Sequence, residues 1–239
     1  MTRGYIVGTG YFKANQKCED FFSDCWVPNT LKYASPEKII VTNSASPEIP
    51  TEPLVEWLNL SRNPGHWSPT PSRFAGWSFG FIQGALYAYA GDCDYIYKEQ
   101  DCLAFGNWVE EMQRQCEGKG MVTGELWEPH VRWVTMELSL IFVKWEFIMP
   151  FLTQLFSIEE TEDVMRPEKK FLAIRDKNPD SIGAVSFGYG GNRPFNCEDD
   201  CFYIQRPRWN YQTKQEIASK PDSGVAQEEI ALLQEKGLL

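Results

Sequence analysis

The chain has 239 residues and a formal net charge of −10, which excludes a general nucleic-acid binder, whose affinity rests on cations meeting phosphates. A hydrophobic fraction of 43% with 14% aromatics excludes wholesale disorder, and the length suits one large domain with a substantial core. Seven dispersed cysteines, an odd number, exclude a complete disulfide framework and make the cytoplasm or another reducing compartment the expected location.

Tyr5 to Phe12 is short, aromatic and β-branched, with Gly8 and Gly10 where the strand carries no side chain, and predicts a first strand ending in a loop. The start MTRGYIVGTGYF lacks the layout of a signal peptide, so no export signal is expected. Lys17 to Lys32 carries Phe21, Phe22, Cys25, Trp26 and Leu31 at spacings that predict a helix broken near Pro28. Neither Cys18/Cys25 nor Cys197/Cys201 has the spacing of a zinc site, and His66 and His130 are far from both. Lys38 to Thr42 predicts a second strand, followed by the turn-rich Asn43-Ser-Ala-Ser-Pro. Leu54 to Leu60 predicts a third, before the loop Ser61-Arg-Asn-Pro-Gly-His66.

Ser72 to Ala90 reads as a helix, although Gly76, Gly80 and Gly84 sit inside it. Each interior glycine costs a helix about 1 kcal/mol relative to alanine. Their spacing of four therefore calls for close packing on a sheet or a ligand. Asp94 to Tyr97 predicts a central strand, Asn107 to Cys116 an amphipathic helix, and Met121-Val-Thr a further short strand. Leu138 to Phe156 reads as a buried helix rather than a membrane span, because Lys144, Glu146 and Pro150 interrupt it. Peripheral membrane contact stays open. Val225 to Glu235 predicts an amphipathic helix packing back on the body. No repeat or flexible linker is visible, so one domain over 1–239 is expected. Alternating strands and helices imply a mostly parallel sheet that keeps its ligands beyond the carboxyl ends of its strands.

The segment Gly91 to Gly106 holds two acid-x-acid triplets. Asp92-Cys-Asp94 precedes the predicted strand and reads as a solvated turn. Glu99-Gln-Asp101 follows it, at the end where such sheets bind ligands. Oxygen ligands at alternate positions suit Mg²⁺ or Mn²⁺, hard cations that also take diphosphate oxygens. Lys98 either pairs with a phosphate or neutralises the acidic cluster.

The order of these segments resembles the GT-A family of nucleotide-sugar-dependent glycosyltransferases over about residues 5 to 110. The segments are Tyr5 to Thr9, KIIVTNSASP, LNLSRNPGHW, the glycine-bearing FAGWSFGFIQGALYAY and then DYIYKEQDCLAFG. The resemblance implies a GT-A-like, Rossmann-type α/β fold: a mixed, mostly parallel sheet flanked by helices. About 1–110 would form the nucleotide-sugar half, about 111–212 the acceptor side, and 213–239 a tail and helix. It implies donor contacts from Thr9, Asn43, Ser44, Arg73, Glu99 and Asp101, and Mn²⁺ or Mg²⁺ held by Asp101 and Glu99. The usual Asp-x-Asp appears here as Glu99-Gln100-Asp101, which keeps the last aspartate and lengthens the first acid.

The implied reaction moves a sugar from a nucleotide diphosphate to a hydroxyl acceptor: a glycan, a lipid or a protein-linked sugar. For a base near that hydroxyl, Glu125, Glu128, His130 and Glu168 are candidates, with Glu125 the choice. Arg62, Asn63 and His66 lie in the third loop, and Arg73, Trp77 and Ser78 begin the glycine-bearing helix, where Trp77 is expected to serve the core. The stretch FGYGGNRPF, with Tyr189 and Arg193, reads either as a closing loop or as a rigid irregular one. A sugar nucleotidyltransferase and a catalytically silent sugar- or nucleotide-binding module are the rival readings. Against the first stands the lack of a glycine-rich basic loop after the first strand.

Overall fold

The structure is a computed structural model that describes residues 3–13, 16–47, 53–64, 75–127, 135–159, 166–185, 189–190 and 202–205. The predicted helix at Val225 to Glu235 lies outside these residues.

Strand β1 (Tyr5–Tyr11) owes its central place to its alternation. Val7 and Tyr11 pack on one face of the sheet, whereas Gly8 and Gly10 leave the other face bare for a helix to approach. The chain then runs through α1 (Gln16–Phe21), a π-helical turn (Phe22–Trp26) and α2 (Val27–Ala34). The break expected at Pro28 does not occur. Pro28 sits in the first turn of α2, and the wide π turn immediately before it accommodates a residue that cannot donate a backbone hydrogen bond.

Strands β2 (Lys38–Asn43) and β3 (Val55–Asn59) extend the sheet in parallel on one side of β1. After α3 (Ala75–Ala90), β4 (Asp94–Lys98) adds in parallel on the other side. A short β5 (Cys102–Phe105) leads to α4 (Trp108–Gln115), and then come β6 (Met121–Trp127) and β7 (Thr135–Val143). Helices α5 (Trp145–Ser157) and α6 (Pro167–Lys177) and strand β8 (Ile182–Ala184) follow. The main sheet is mixed and mostly parallel, in the order β3-β2-β1-β4-β7-β6-β8, with β7 antiparallel to both neighbours. A second sheet pairs β5 with β10 (Phe202–Gln205) and β10 with β9 (Tyr189–Gly190).

The helix expected over Leu138 to Phe156 is corrected: its first part is β7, and α5 starts only at Trp145. Leu138 and Leu140 to Val143 are apolar and buried, and a short apolar run looks the same to periodicity whether strand or helix. Lys144, extended at φ −64° and ψ 144°, marks the change. Among the described residues no helix is long and apolar enough to cross a membrane.

Two apolar cores result. One gathers Trp26, Trp108, Met112 and β5 against one face, and the other gathers Phe81, Phe151 and Phe171 of α3, α5 and α6 against the opposite face. The helix glycines serve that second contact. A Cβ on Gly84 would stand 2.4 Å from Oη of Tyr95, as would one on Gly8, so the Tyr95 phenol fills a notch that both glycines leave.

The topology decides which helix ends meet. The first turn of α3 lies at the carboxyl edge of the sheet, with the Gly76 carbonyl near Gly10. The antiparallel β7 carries the chain to the amino edge, where the Trp145 N–H donates to Asp94 at 2.8 Å. Helix α5 then runs back, so its last turn reaches the carboxyl edge.

Candidate functional site

Strand β4 presents alternate residues to opposite faces, and this sorts its end. Tyr95 and Tyr97 join the α3 side and Ile96 the α1–α2 side. Lys98 therefore points to the α1–α2 side, where its Nζ donates to Asn29 Oδ1 at 2.6 Å and Thr30 Oγ1 at 2.8 Å. Its ammonium also lies 4.8 Å from the centre of the Trp26 ring. Neither role expected for Lys98 fits this orientation, because its ammonium turns away from the side that takes the Glu99 carboxylate. Burial lowers its pKa to about 7.

Glu99 turns the other way. Its Oε1 accepts the indole N–H of Trp77 at 2.6 Å, its N–H donates to Ser139 O at 2.9 Å, and its carbonyl accepts Trp26 Nε1 at 2.7 Å. Trp77 thus serves the site as well as the core, where it stacks on Phe81. Gln100, the middle residue of the triplet, accepts the Phe12 N–H at 3.1 Å and so fastens the triplet to the loop after β1. Asp101 is buried and leads directly into β5.

The other triplet has a different duty. Asp92 is exposed in a turn at φ 56°, bound to Arg3 at 3.2 Å, and Asp94 holds the start of α5.

Two further carboxylates stand near Glu99. Burial first, and then the charges of Asp101, Glu137 and Glu168, push the Glu99 carboxyl well above its ordinary range. Burial also raises Glu137, whose Oε1 accepts the Ser139 N–H at 3.1 Å, and raises Glu168. Oε2 of Glu168 is buried with no hydrogen-bond partner. Sequence reasoning does not single out Glu137, which stands one residue before the run Leu138 to Phe156 and reaches this edge only because that region forms β7.

The loops after β1 and β2 are joined to this edge. Ser44 N–H donates to Tyr11 O at 2.9 Å, and Lys13 N–H to Ser46 Oγ at 2.8 Å. Asn43 spends its amide on Asn59 Oδ1 at 2.8 Å and on Ser46, so it holds the loop in shape. Thr9 is fully buried within β1, and Ser44 is buried beside Ala45, whose φ is 56°. The structure brings Thr9, Asn43, Ser44, Glu99 and Asp101 to one edge. Arg62 and Asn63 are exposed after β3, and Ser78 lies on α3. Arg73, His66, Glu128, His130 and Arg193 lie outside the described residues.

Glu125 belongs to β6 itself rather than to a loop after it. It stands at an irregularity in the pairing, where Gly124 pairs with Glu137 and Leu126 with Met136. Tyr189 and Gly190 form β9, and the registers Gln205↔Cys102 and Gln205↔Gly190 put that strand two positions from the one that follows Asp101.

The carboxylates of Glu99 and Asp101 are an all-oxygen donor set that suits an oxygen-seeking cation. Among the described residues, no group of three or more His, Cys, Asp or Glu side chains is close enough to hold an ion unaided.

No protein-family profile matches the sequence, and no curated protein does either. Among solved structures, the chain is similar to mouse xyloside xylosyltransferase 1 in its apo form, with TM-score 0.51 and 10% identity over 86% of this chain and 97% of that one. It is also similar to the glycosyltransferase GlyE of Streptococcus pneumoniae TIGR4, with TM-score 0.48 and 12% identity over 78% of this chain. The match spans only 46% of the GlyE chain. A glycosyltransferase involved in glycosylation of the major capsid of PBCV-1 gives TM-score 0.49 and 10% identity over 84% of this chain and 93% of that one. The likeness to the mouse enzyme is one of fold: the chain has a GT-A-like fold.

Proposed function

We propose that the protein is a glycosyltransferase that moves a sugar from a nucleotide diphosphate donor to a hydroxyl acceptor with Mn²⁺ or Mg²⁺. The observation that carries this reading is the position of Glu99-Gln100-Asp101, in the turn directly after β4 of a GT-A-like sheet and tied to the loop after β1. The mouse protein with this fold, a xyloside xylosyltransferase, accords with it.

In this reading Asp101 and Glu99 hold the cation, which would offset the charge that builds on the departing diphosphate. Trp77 keeps Glu99 oriented, and Gln100 keeps the triplet in register with the donor loops. The tied loops after β1 and β2 offer the nucleoside a platform that needs little ordering on binding. Thr9 and Asn43 act by shaping that platform, since their side chains are buried or engaged. Ser44, Arg73 and Glu125 remain donor-side and acceptor-side assignments for mutagenesis.

Calorimetric titration of UDP and GDP, with and without Mn²⁺, tests the reading. Metal-dependent binding of one of them is expected, and no binding by any nucleoside diphosphate would overturn the donor assignment. Donor hydrolysis in the same samples separates an enzyme from a silent binding module.

A further inference from the structure

Because β7 runs backwards, the last turn of α5 arrives beside the first turns of α3 and α6, at the edge that carries Glu99. Between these three helix ends lies an apolar groove of about 290 Å³ lined by Trp77, Ile82, Leu155, Phe156, Lys170 and Phe171. Its size is just below the range of small-molecule sites and suits a few aliphatic side chains. Phe79 and Phe156 also line it and are 44% and 63% exposed, so the core does not account for them.

The path of the chain brings one segment of its own to this place. The register Gln205↔Cys102 sets the end of β10 opposite Cys102, whose N–H donates to Glu99 O at 2.9 Å. The Glu99 carboxylate accepts the indole N–H of Trp77, a residue of the groove wall, at 2.6 Å. The chain therefore leaves β10 at the edge where the groove opens. Residues 206–224 span up to about 65 Å when extended, more than this step needs. The apolar stripe that follows is in 225–235, where Ala226, Ile230 and Leu233 recur at i, i+4 and i+7, the anchor spacing of a helix laid in a groove. The charged residues of that segment, Glu228, Glu229 and Glu235, are all acidic, and the groove wall includes Lys170. The connection 160–165 between α5 and α6 is nearer, but Glu160, Glu162 and Asp163 leave it no such stripe.

We propose that residues 225–235 form a helix that docks in this groove, with Ala226, Ile230 and Leu233 turned towards Phe79 and Phe156. The groove is then a seam within the domain, and the docked helix backs the Trp77 ring whose N–H holds Glu99. The inference does not depend on the glycosyl-transfer reading.

The test uses the full chain with p-benzoylphenylalanine in place of Phe156, an exposed position at the end of α5, irradiated at low protein concentration and read by peptide mass spectrometry. Cross-links within one chain to residues 225–235 are expected. Ile230→Ser together with Leu233→Ser should lower their yield roughly fivefold or more, since two apolar anchors are lost. The same probe in place of Leu54, which is 43% exposed before β3, should give none of them. Cross-links between chains, read with a mixture of isotopically light and heavy protein, would make the groove a contact between copies and overturn the proposal. Cross-links confined to other segments, a yield indifferent to the two serines, or an equal yield from position 54 would overturn it as well. No nucleotide or metal enters the measurement, so its failure is distinct from failure of the UDP and GDP titration.

Discussion

Gly80 of α3 and Gly10 of β1 approach so closely that a Cβ on Gly80 would stand 2.8 Å from Cα of Gly10. The obstacle is backbone on both sides, so nothing can swing away. Gly80→Ala should gain about 1 kcal/mol of helix propensity and lose about 1–3 kcal/mol to overpacking. Urea denaturation is expected to show a lower midpoint at unchanged slope. A more stable variant would mean that α3 can retreat from the sheet.

Trp77→Phe keeps a ring against Phe81 and Phe171 but removes the donor to Glu99. The loss raises the Glu99 pKa further, because that hydrogen bond favours the ionised carboxylate. Mn²⁺ affinity in the presence of UDP should fall roughly tenfold, as expected for a lost hydrogen bond to a charged group. The pH of half-maximal metal binding should move upwards. Unchanged affinity and pH profile would remove Trp77 from the site.

Asp101→Asn should abolish metal-dependent donor hydrolysis by about 100-fold or more while the thermal midpoint holds or rises, since a like charge leaves the cluster. Equal turnover would remove Asp101 from the mechanism. A related effect appears without mutation. Carboxyls raised in the fold bind protons that the unfolded chain has already released, so apo stability should fall as pH rises above the ordinary glutamate value of 4.5. Mn²⁺ should therefore raise the melting temperature more at pH 7.5 than at pH 5, read by calorimetry.

Lys98 gives the opposite slope. Its pKa is about 7 in the fold against 10.5 when unfolded, so between those values the unfolded chain holds a proton that the folded chain lacks. Stability should rise with pH across that window, by up to about 1.4 kcal/mol per unit for one proton. Lys98→Met should flatten the rise, measured by urea denaturation from pH 6.5 to 9.5. An unaltered slope would assign it to other groups.

The parts of the fold that could be read in the sequence are those whose pattern has one meaning. β1, β2 and β4 are short runs bounded by turn residues, and the place of Glu99-Gln-Asp101 after β4 follows from that alternation. The strand β7 was hidden because its buried residues leave no period to read. Strands β9 and β10 were hidden because short strands gain their identity from partners far along the chain, here β5. The Lys98 orientation follows from strand alternation once β4 is known to extend to it. Glu137 and the Trp77 hydrogen bond do not, since both depend on which strand and helix become neighbours in space.

The opposite facing of Lys98 and Glu99 also makes the electrical sign of the site a matter of odd and even. A single residue inserted or deleted between Asp94 and Lys98 would rotate the strand's end by half a period, sending an ammonium to the edge now held by carboxylates and burying a glutamate against Asn29 and Thr30. Length in this five-residue strand is thus under the same constraint as residue identity, and tolerated insertions should fall in the turn before Asp94.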